Sequence, residues 1–202
     1  MVNSSIVYLI KLGVHLDQYV WDSNKTNLFY LLGTRNKIQI INLNFTLFLL
    51  KKALFVQEKS IKLKQNTLVI NTDLENIKYD LEEKSNIFFI NKKWICGFLT
   101  NHKHIKTYNP KKLKFYKNSE KMRVLPSFVF TTNNYSKSSL KEGLILDIPT
   151  AVLIDSSTKE LNLHYMIPAN LSSIWCRYLF FKTFVKKNLL ILRKTLITLF
   201  KN

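Results

Sequence analysis

Four short, continuously apolar runs set the tightest limit on what this chain can fold into: Thr67–Asn71, Ile87–Ile90, Ser127–Thr132 and Thr150–Asp155. A strand with one wet face alternates apolar and polar residues, whereas an unbroken apolar run is covered on both faces. Segments of helical period lie between the runs, and that alternation is the pattern of a parallel sheet flanked by helices. Lys37–Asn42 reads as an earlier strand and His164–Ile167 as a short last one. Leu43–Leu63 reads as an amphipathic helix, with Phe45, Phe48, Leu49 and Lys52 to Phe55 at suitable spacing. Asp73–Lys84 reads as a polar helix capped by Asp73, and Tyr135–Gly143 as a short helix between two strands.

The C-terminal segment carries an apolar stripe through Tyr178, Phe181, Val185, Leu189, Leu192, Leu196 and Leu199, while Lys187, Lys194 and Lys201 recur on another face. A long amphipathic helix packed on the sheet, with a basic outer face, is the expectation. Charges interrupt every apolar run before it reaches the length of a membrane span, so no membrane insertion is expected. Asn101–Leu125 breaks the pattern: it is rich in lysine, holds Pro110 and has little helical period. It reads as a basic connector, residues 101–125, inside one α/β domain of 202 residues.

Charge narrows the partner. The chain has a formal net charge of +18, unevenly placed. Lys92 to Arg123 holds ten Lys/Arg against one acid, Glu120; Ile174 to Asn202 holds seven and none. Those two segments carry 16 of the 18 charges, a concentration that a merely solubilising surface does not need. A polyanion is the expected partner, since lysines beside phosphates displace condensed counterions. The abundance of Lys, Asn, Ile, Phe and Leu is the bias that an AT-rich coding sequence yields, as in many organellar genomes, and Met1 to Leu12 reads as neither a signal nor a transit peptide.

Enzymatic constellations are lacking. No glycine-rich dinucleotide loop or Walker motif follows a strand, and the four glycines leave little room for a pyrophosphate. Cys96 and Cys176 read as buried free thiols, His15 as a structural histidine, and Ser156-Ser157 as a cap or binding loop after its strand. No cofactor, metal or small-molecule substrate is expected. Lys92-Lys93-Trp94 and Thr100-Asn101 stand apart, on either side of Gly97. Lysines neutralise phosphates, Thr and Asn bond sugars or base edges, and aromatics stack on unpaired bases. For Trp94 and Phe98 a core role stands equally open. Within the connector, His102, Lys103, His104, Lys106, Lys111, Lys112 and Lys114 are candidates for phosphate or ribose contact.

The last candidate group is Arg35, Asn36 and Lys37, between a turn-forming Gly33-Thr34 and the strand Ile38-Gln39-Ile40-Ile41. Gly33-Thr34-Arg35-Asn36-Lys37 with Ile40-Ile41-Asn42-Leu43 and Thr46 resembles a signature of the universal small-subunit ribosomal protein S2 family. Lys11-Leu12-Gly13-Val14-His15, Asn91 to Asn101, Leu125-Pro126, Ile148-Pro149 and Ile167-Pro168 match further motifs in the family's order. Leu16-Asp17, Ser156-Ser157 and Ala169-Asn170-Leu171 depart from it, and the family's long helical hairpin is shortened to the connector. The resemblance implies a Rossmann-like or flavodoxin-like three-layer αβα fold. It implies a non-enzymatic constituent of the small ribosomal subunit that binds small-subunit rRNA and neighbouring ribosomal proteins. Composition points to the mitochondrial ribosome, with the protein made in the organelle and a plastid as second choice. A nucleotide-binding α/β enzyme and a peripheral membrane protein using Ile174–Phe200 are the alternatives.

Overall fold

The computed structural model describes residues 2–22, 25–70, 86–90, 94–104, 122, 124–132, 137–158 and 163–185. Five strands, β4 (Thr67–Ile70), β5 (Ile87–Ile90), β6 (Phe128–Thr131), β7 (Thr150–Ile154) and β8 (Tyr165–Pro168), form one sheet in the order β5-β4-β6-β7-β8. Every pairing is parallel. Numbered within the sheet, the order is 2-1-3-4-5, that of flavodoxin-like doubly wound proteins. The four runs picked out above are four of these strands, and every residue of β4, β5, β6 and β7 is buried.

Alternate residues of the strands feed two cores. On one face Val69, Phe89, Phe128, Phe130 and Leu153 pack against Leu9 of α1 (Val2–Lys11), Leu50 and Ala53 of α2 (Leu43–Lys62), and Phe180, Phe181 and Phe184. These last belong to a helix over 174–185, here α4. On the other face Leu68, Ile70, Phe88, Ile90 and Val129 meet Trp94, Phe98, Leu99 and Met122. Leu140 of α3 (Lys137–Ile145) covers Val152 and Ile154 there. The result is three layers, α1, α2 and α4 against α3 and the 94–104 loop.

Short-range chemistry explains the joints. Gly13, at φ 69°, ends α1 in the left-handed conformation, and its N–H donates back to Ile10 O at 2.9 Å. Val14 is then buried in the core, and His15 O accepts from Ile41 N. Asn42 caps α2 by accepting from Asn44 N at 3.1 Å. Thr46 Oγ1 donates to Pro168 O at 2.7 Å, fastening α2 to β8.

Two expectations need correction. Ile38–Ile41 is not a strand of the parallel sheet. As β3 it is the middle of a separate antiparallel sheet, order β1-β3-β2, with β1 (Leu16–Tyr19) and β2 (Leu31–Arg35). Its residues alternate between buried and half-buried, the one-sided pattern that an isoleucine-rich sequence conceals. Phe48 and Phe55, placed on the amphipathic face of α2, point instead to solvent, 54% and 57% exposed. Their rings lie under the ammonium groups of Lys52 and Lys59, at 4.3 and 4.7 Å from the centroids. The helix expected over Asp73–Lys84 and the part of α4 expected beyond residue 185 lie outside the described residues.

Candidate functional site

In doubly wound sheets, ligands bind beyond the carboxyl ends of the strands. Here the end of β7 is stopped by the chain's own groups. Asp17, reaching over from β1, accepts Ser156 N at 2.9 Å and Gln18 N at 2.8 Å. Burial nonetheless pushes the Asp17 carboxyl above the ordinary carboxylate range, the hydrogen bonds offsetting it only in part. Asn27 Nδ2 donates to Asp155 O and Thr158 O at 3.1 and 2.7 Å. Asp155 Oδ1 accepts from Ser157 Oγ and from Thr158 Oγ1. The cleft left among Asp17, Asn27, Asp155, Ser156, Tyr30, Ile41 and Pro168 holds about 10 Å³, room for about one water molecule and not for a nucleotide. Ser156 and Ser157 therefore belong to a self-stapled turn, with Ser156 N held by a carboxylate.

The sulfur and imidazole groups also have settled places. Cys176 is buried, which pushes its thiol up to about 12 and leaves it inert as a nucleophile. Cys96 is exposed, contrary to the expectation of two buried thiols. His15 is half-buried with Nδ1 enclosed and without a hydrogen-bond partner, so it is not the satisfied structural histidine expected. Among the described residues no group of three His, Cys, Asp or Glu is placed to hold a metal ion.

The basic candidates separate into those that reach solvent and those that do not. Arg35, Asn36 and Lys37 are exposed at the tip of the β2–β3 hairpin. Arg35 pairs with Ile38, so Asn36-Lys37 is a two-residue loop; both residues have positive φ, 50° and 65°. That is the backbone of a type I′ turn, whose twist suits a hairpin. Gly33 and Thr34, expected to form the turn, lie inside β2 instead, Gly33 beside the register slip that follows Leu31. Asn tolerates the left-handed region, whereas lysine at the second turn position is strained there. Lys37→Gly is therefore expected to stabilise the protein by about 0.5–1 kcal/mol, after allowing for glycine's greater freedom when unfolded. A urea midpoint that stays put or falls would contradict this account of the tip.

Trp94 is a core residue. Its indole is buried edge-to-face against Phe98 at 5.2 Å, and Nε1 donates to Glu142 Oε1 at 2.9 Å. The same carboxylate accepts from Gly97 N, Leu99 N and Thr100 N at 2.8, 2.8 and 3.4 Å. Glu142, which sequence reasoning passed over, thus shapes the whole Trp94–Thr100 turn. Thr100 and Asn101 are exposed, and Asn101 lies over Gly97, where an added Cβ would meet Nδ2 at 3.4 Å. His102 is buried; its Nε2 is 3.1 Å from Met122 O, and its ring packs on Phe98. That removes His102 from the solvent-facing candidates and gives it a different task. It joins the start of the lysine-rich excursion to its end, twenty residues on. Lys103 and His104 are exposed just beyond it. Lys92, Lys93, Lys106, Lys111, Lys112 and Lys114 lie outside the described residues.

A flavodoxin-like parallel sheet, a β7 end closed by the chain's own groups and an exposed cationic hairpin tip define a doubly wound α/β protein. The sequence pattern of the family described as ribosomal protein S2 matches residues 9–123, more than half of the 202, and the chain belongs to that family. Similar curated proteins include the small ribosomal subunit protein uS2m of Acanthamoeba castellanii, 27% identical over 192 residues and covering 92% of this chain and 56% of that one. The uS2m of Marchantia polymorpha is 29% identical, covering 89% of this chain and 90% of that one. The uS2 of Wigglesworthia glossinidia brevipalpis is 27% identical, covering 91% and 90%. The chain thus spans little more than half of the Acanthamoeba relative and nine-tenths of the Marchantia one. A protein of this family is a structural component of the ribosome and not an enzyme.

Proposed function

We infer that this chain is a structural constituent of the small subunit of the mitochondrial ribosome, where it binds small-subunit rRNA and neighbouring ribosomal proteins. The observation that carries the reading is the family match over 9–123, joined by two similar proteins that bear the mitochondrial name. The physical mechanism is neutralisation of phosphates. Arg35, Asn36 and Lys37 are exposed at the hairpin tip; Thr100, Asn101, Lys103 and His104 are exposed on either side of the buried His102. Lys92, Lys93, Lys106, Lys111, Lys112 and Lys114 supply the remaining charge of that side. The whole of 1–202 is one α/β domain in this reading, with 101–125 standing where relatives have a longer hairpin, and synthesis inside the organelle fits its composition.

In a sucrose gradient of organelle extract at high magnesium, the chain is expected with the small subunit and its rRNA. Raising monovalent salt is expected to release it steeply, since each phosphate contact adds to the salt dependence. Recovery only near the top of the gradient, free of rRNA, would overturn the reading. A nucleotide-dependent enzyme finds no support in a cleft of about 10 Å³ lined by Asp17 and Asn27. Among the described residues no helix is long and apolar enough to cross a membrane.

A further inference from the structure

Tyr19 and Trp21 lie beside the hairpin tip, outside the short motifs that carry the family resemblance. On a regular strand Leu16 and Tyr19, three residues apart, would face opposite ways. An irregularity between them sets Leu16 opposite Ile40 and Tyr19 opposite Ile38, so both stand on one face of the small sheet. Arg35 faces Ile38 from the other side. Tyr19, Ile38 and Arg35 therefore form a row across three strands, its ends about 10 Å apart by two inter-strand spacings. Trp21 continues the aromatic end. Its ring is parallel to that of Tyr19, with centroids 4.8 Å and planes 5° apart, and it is 66% exposed. Val20 N–H donates to Lys37 O at 3.1 Å, which ties the aromatic pair to the tip. The acid of β1, Asp17, is engaged by Ser156 and Gln18 instead; Asp22, at the far end of the turn, is exposed.

Two features of this face decide what fits it. A stacked, exposed aromatic pair offers a flat π-surface at small cost in conformational freedom, and a further planar ring can extend the stack. A guanidinium and an ammonium stand beside it. A nucleotide supplies both complements, a planar base and a phosphate; an apolar protein segment would match Leu16, Ile38 and Ile40 and leave both cations without a counterpart. We propose that the Tyr19–Trp21 ledge stacks an unpaired base of RNA while Arg35 and Lys37 hold the adjoining phosphates. The proposal rests on the rRNA-binding reading and specifies one contact within it.

The test uses the 202-residue chain in a Trp175→Phe background. Trp175 is exposed and Trp94 is buried, so Trp21 then remains the exposed indole. Its fluorescence is followed during titration with a short oligoadenylate and with an RNA hairpin duplex of equal charge. Saturable quenching by the single strand is expected, with far less from the duplex. Trp21→Leu, which keeps an apolar side chain but removes the π-face and the reporter indole, is followed like the other variants by the anisotropy of an end-labelled strand, and it is expected to weaken single-strand binding on the order of 10-fold. Trp21→Phe is expected to retain most of the affinity. If Trp21→Leu binds as tightly as the parent while Arg35→Ala binds more weakly, the ledge is overturned and RNA binding by the tip stands. If neither variant changes, the tip leaves the RNA surface as well. If Trp21→Leu keeps its RNA affinity but loses a neighbouring protein on reconstituted small subunits, the face docks protein and the proposal fails.

Discussion

Glu142→Ala is expected to lower stability by about 3–5 kcal/mol, the loss that follows when buried charged hydrogen-bonding groups lose a partner. The carboxylate is buried and accepts from Trp94 Nε1, Gly97 N, Leu99 N and Thr100 N. Alanine would strand these donors, two of them on the buried residues Trp94 and Leu99. Each unsatisfied group costs about 1–3 kcal/mol, and the four act as one unit, so the total stays below their sum. Against a total of ~5–15 kcal/mol for a domain, such a loss is severe. Glu142→Gln keeps one acceptor oxygen and is expected to lose about half as much. Urea unfolding followed by tryptophan fluorescence reads both effects, because Trp94 lies in the affected turn. An alanine variant with the parent midpoint would show that the carboxylate does not hold the loop. The consequence reaches function through position. The same loop leads to Thr100, Asn101 and the His102–Met122 closure, so its loosening frees the base of the basic excursion.

That carboxylate illustrates what a single sequence conceals. Strands β4 to β7 were legible because burial on both faces leaves its mark in each strand's own residues, as in Ile87-Phe88-Phe89-Ile90. The helix that begins at Leu43 was legible for the same local reason, although its cap at Asn42 was read as the end of a strand. Glu142 was not. Its partners are 42 to 48 residues earlier, and one acid on a short helix looks like any solvated glutamate. Strands β1 and β2 escaped because Leu16-Asp17-Gln18-Tyr19 and Leu31-Leu32-Gly33-Thr34-Arg35 are partly exposed and lack a clean alternation. The turn was displaced to Gly33 because glycine is the usual sign of positive φ, whereas here Asn36 and Lys37 adopt it. The two-part motif around Arg35 and Trp94 identified the family securely, yet the indole of its second part does not reach solvent. Trp94 serves the core, and the exposed aromatics beside Arg35 and Lys37 are Tyr19 and Trp21.

Phe184→Ala, at about 3–5 kcal/mol, is expected to be as damaging, but by a purely apolar route. Phe184 is fully buried and stacks on Phe130, with ring centroids 3.8 Å apart and planes at 19°. Phe128 follows at 6.2 Å. Both belong to β6, the central strand of five, so truncation would open a cavity where α4 meets the middle of the sheet. Phe184 O also accepts from Gln57 Nε2 of α2 at 3.3 Å, so movement of the helix would disturb a second element. The comparison is Phe48→Ala, which removes an equal side chain from the exposed face of α2. The side chain there is more than half exposed and its ring holds Lys52, so the expected change is about 0.5–1 kcal/mol. Denaturant midpoints for the two variants separate the packing account from a general intolerance of phenylalanine loss. Residues 186–202, which follow α4 directly, hold five of the seven Lys/Arg counted from Ile174 onward. A chain that no longer docks this helix is therefore expected to occupy fewer small subunits in the gradient, even at temperatures where the sheet remains folded. Equal midpoints for Phe184→Ala and Phe48→Ala, with undiminished occupancy, would mean that α4 is not anchored through this ring.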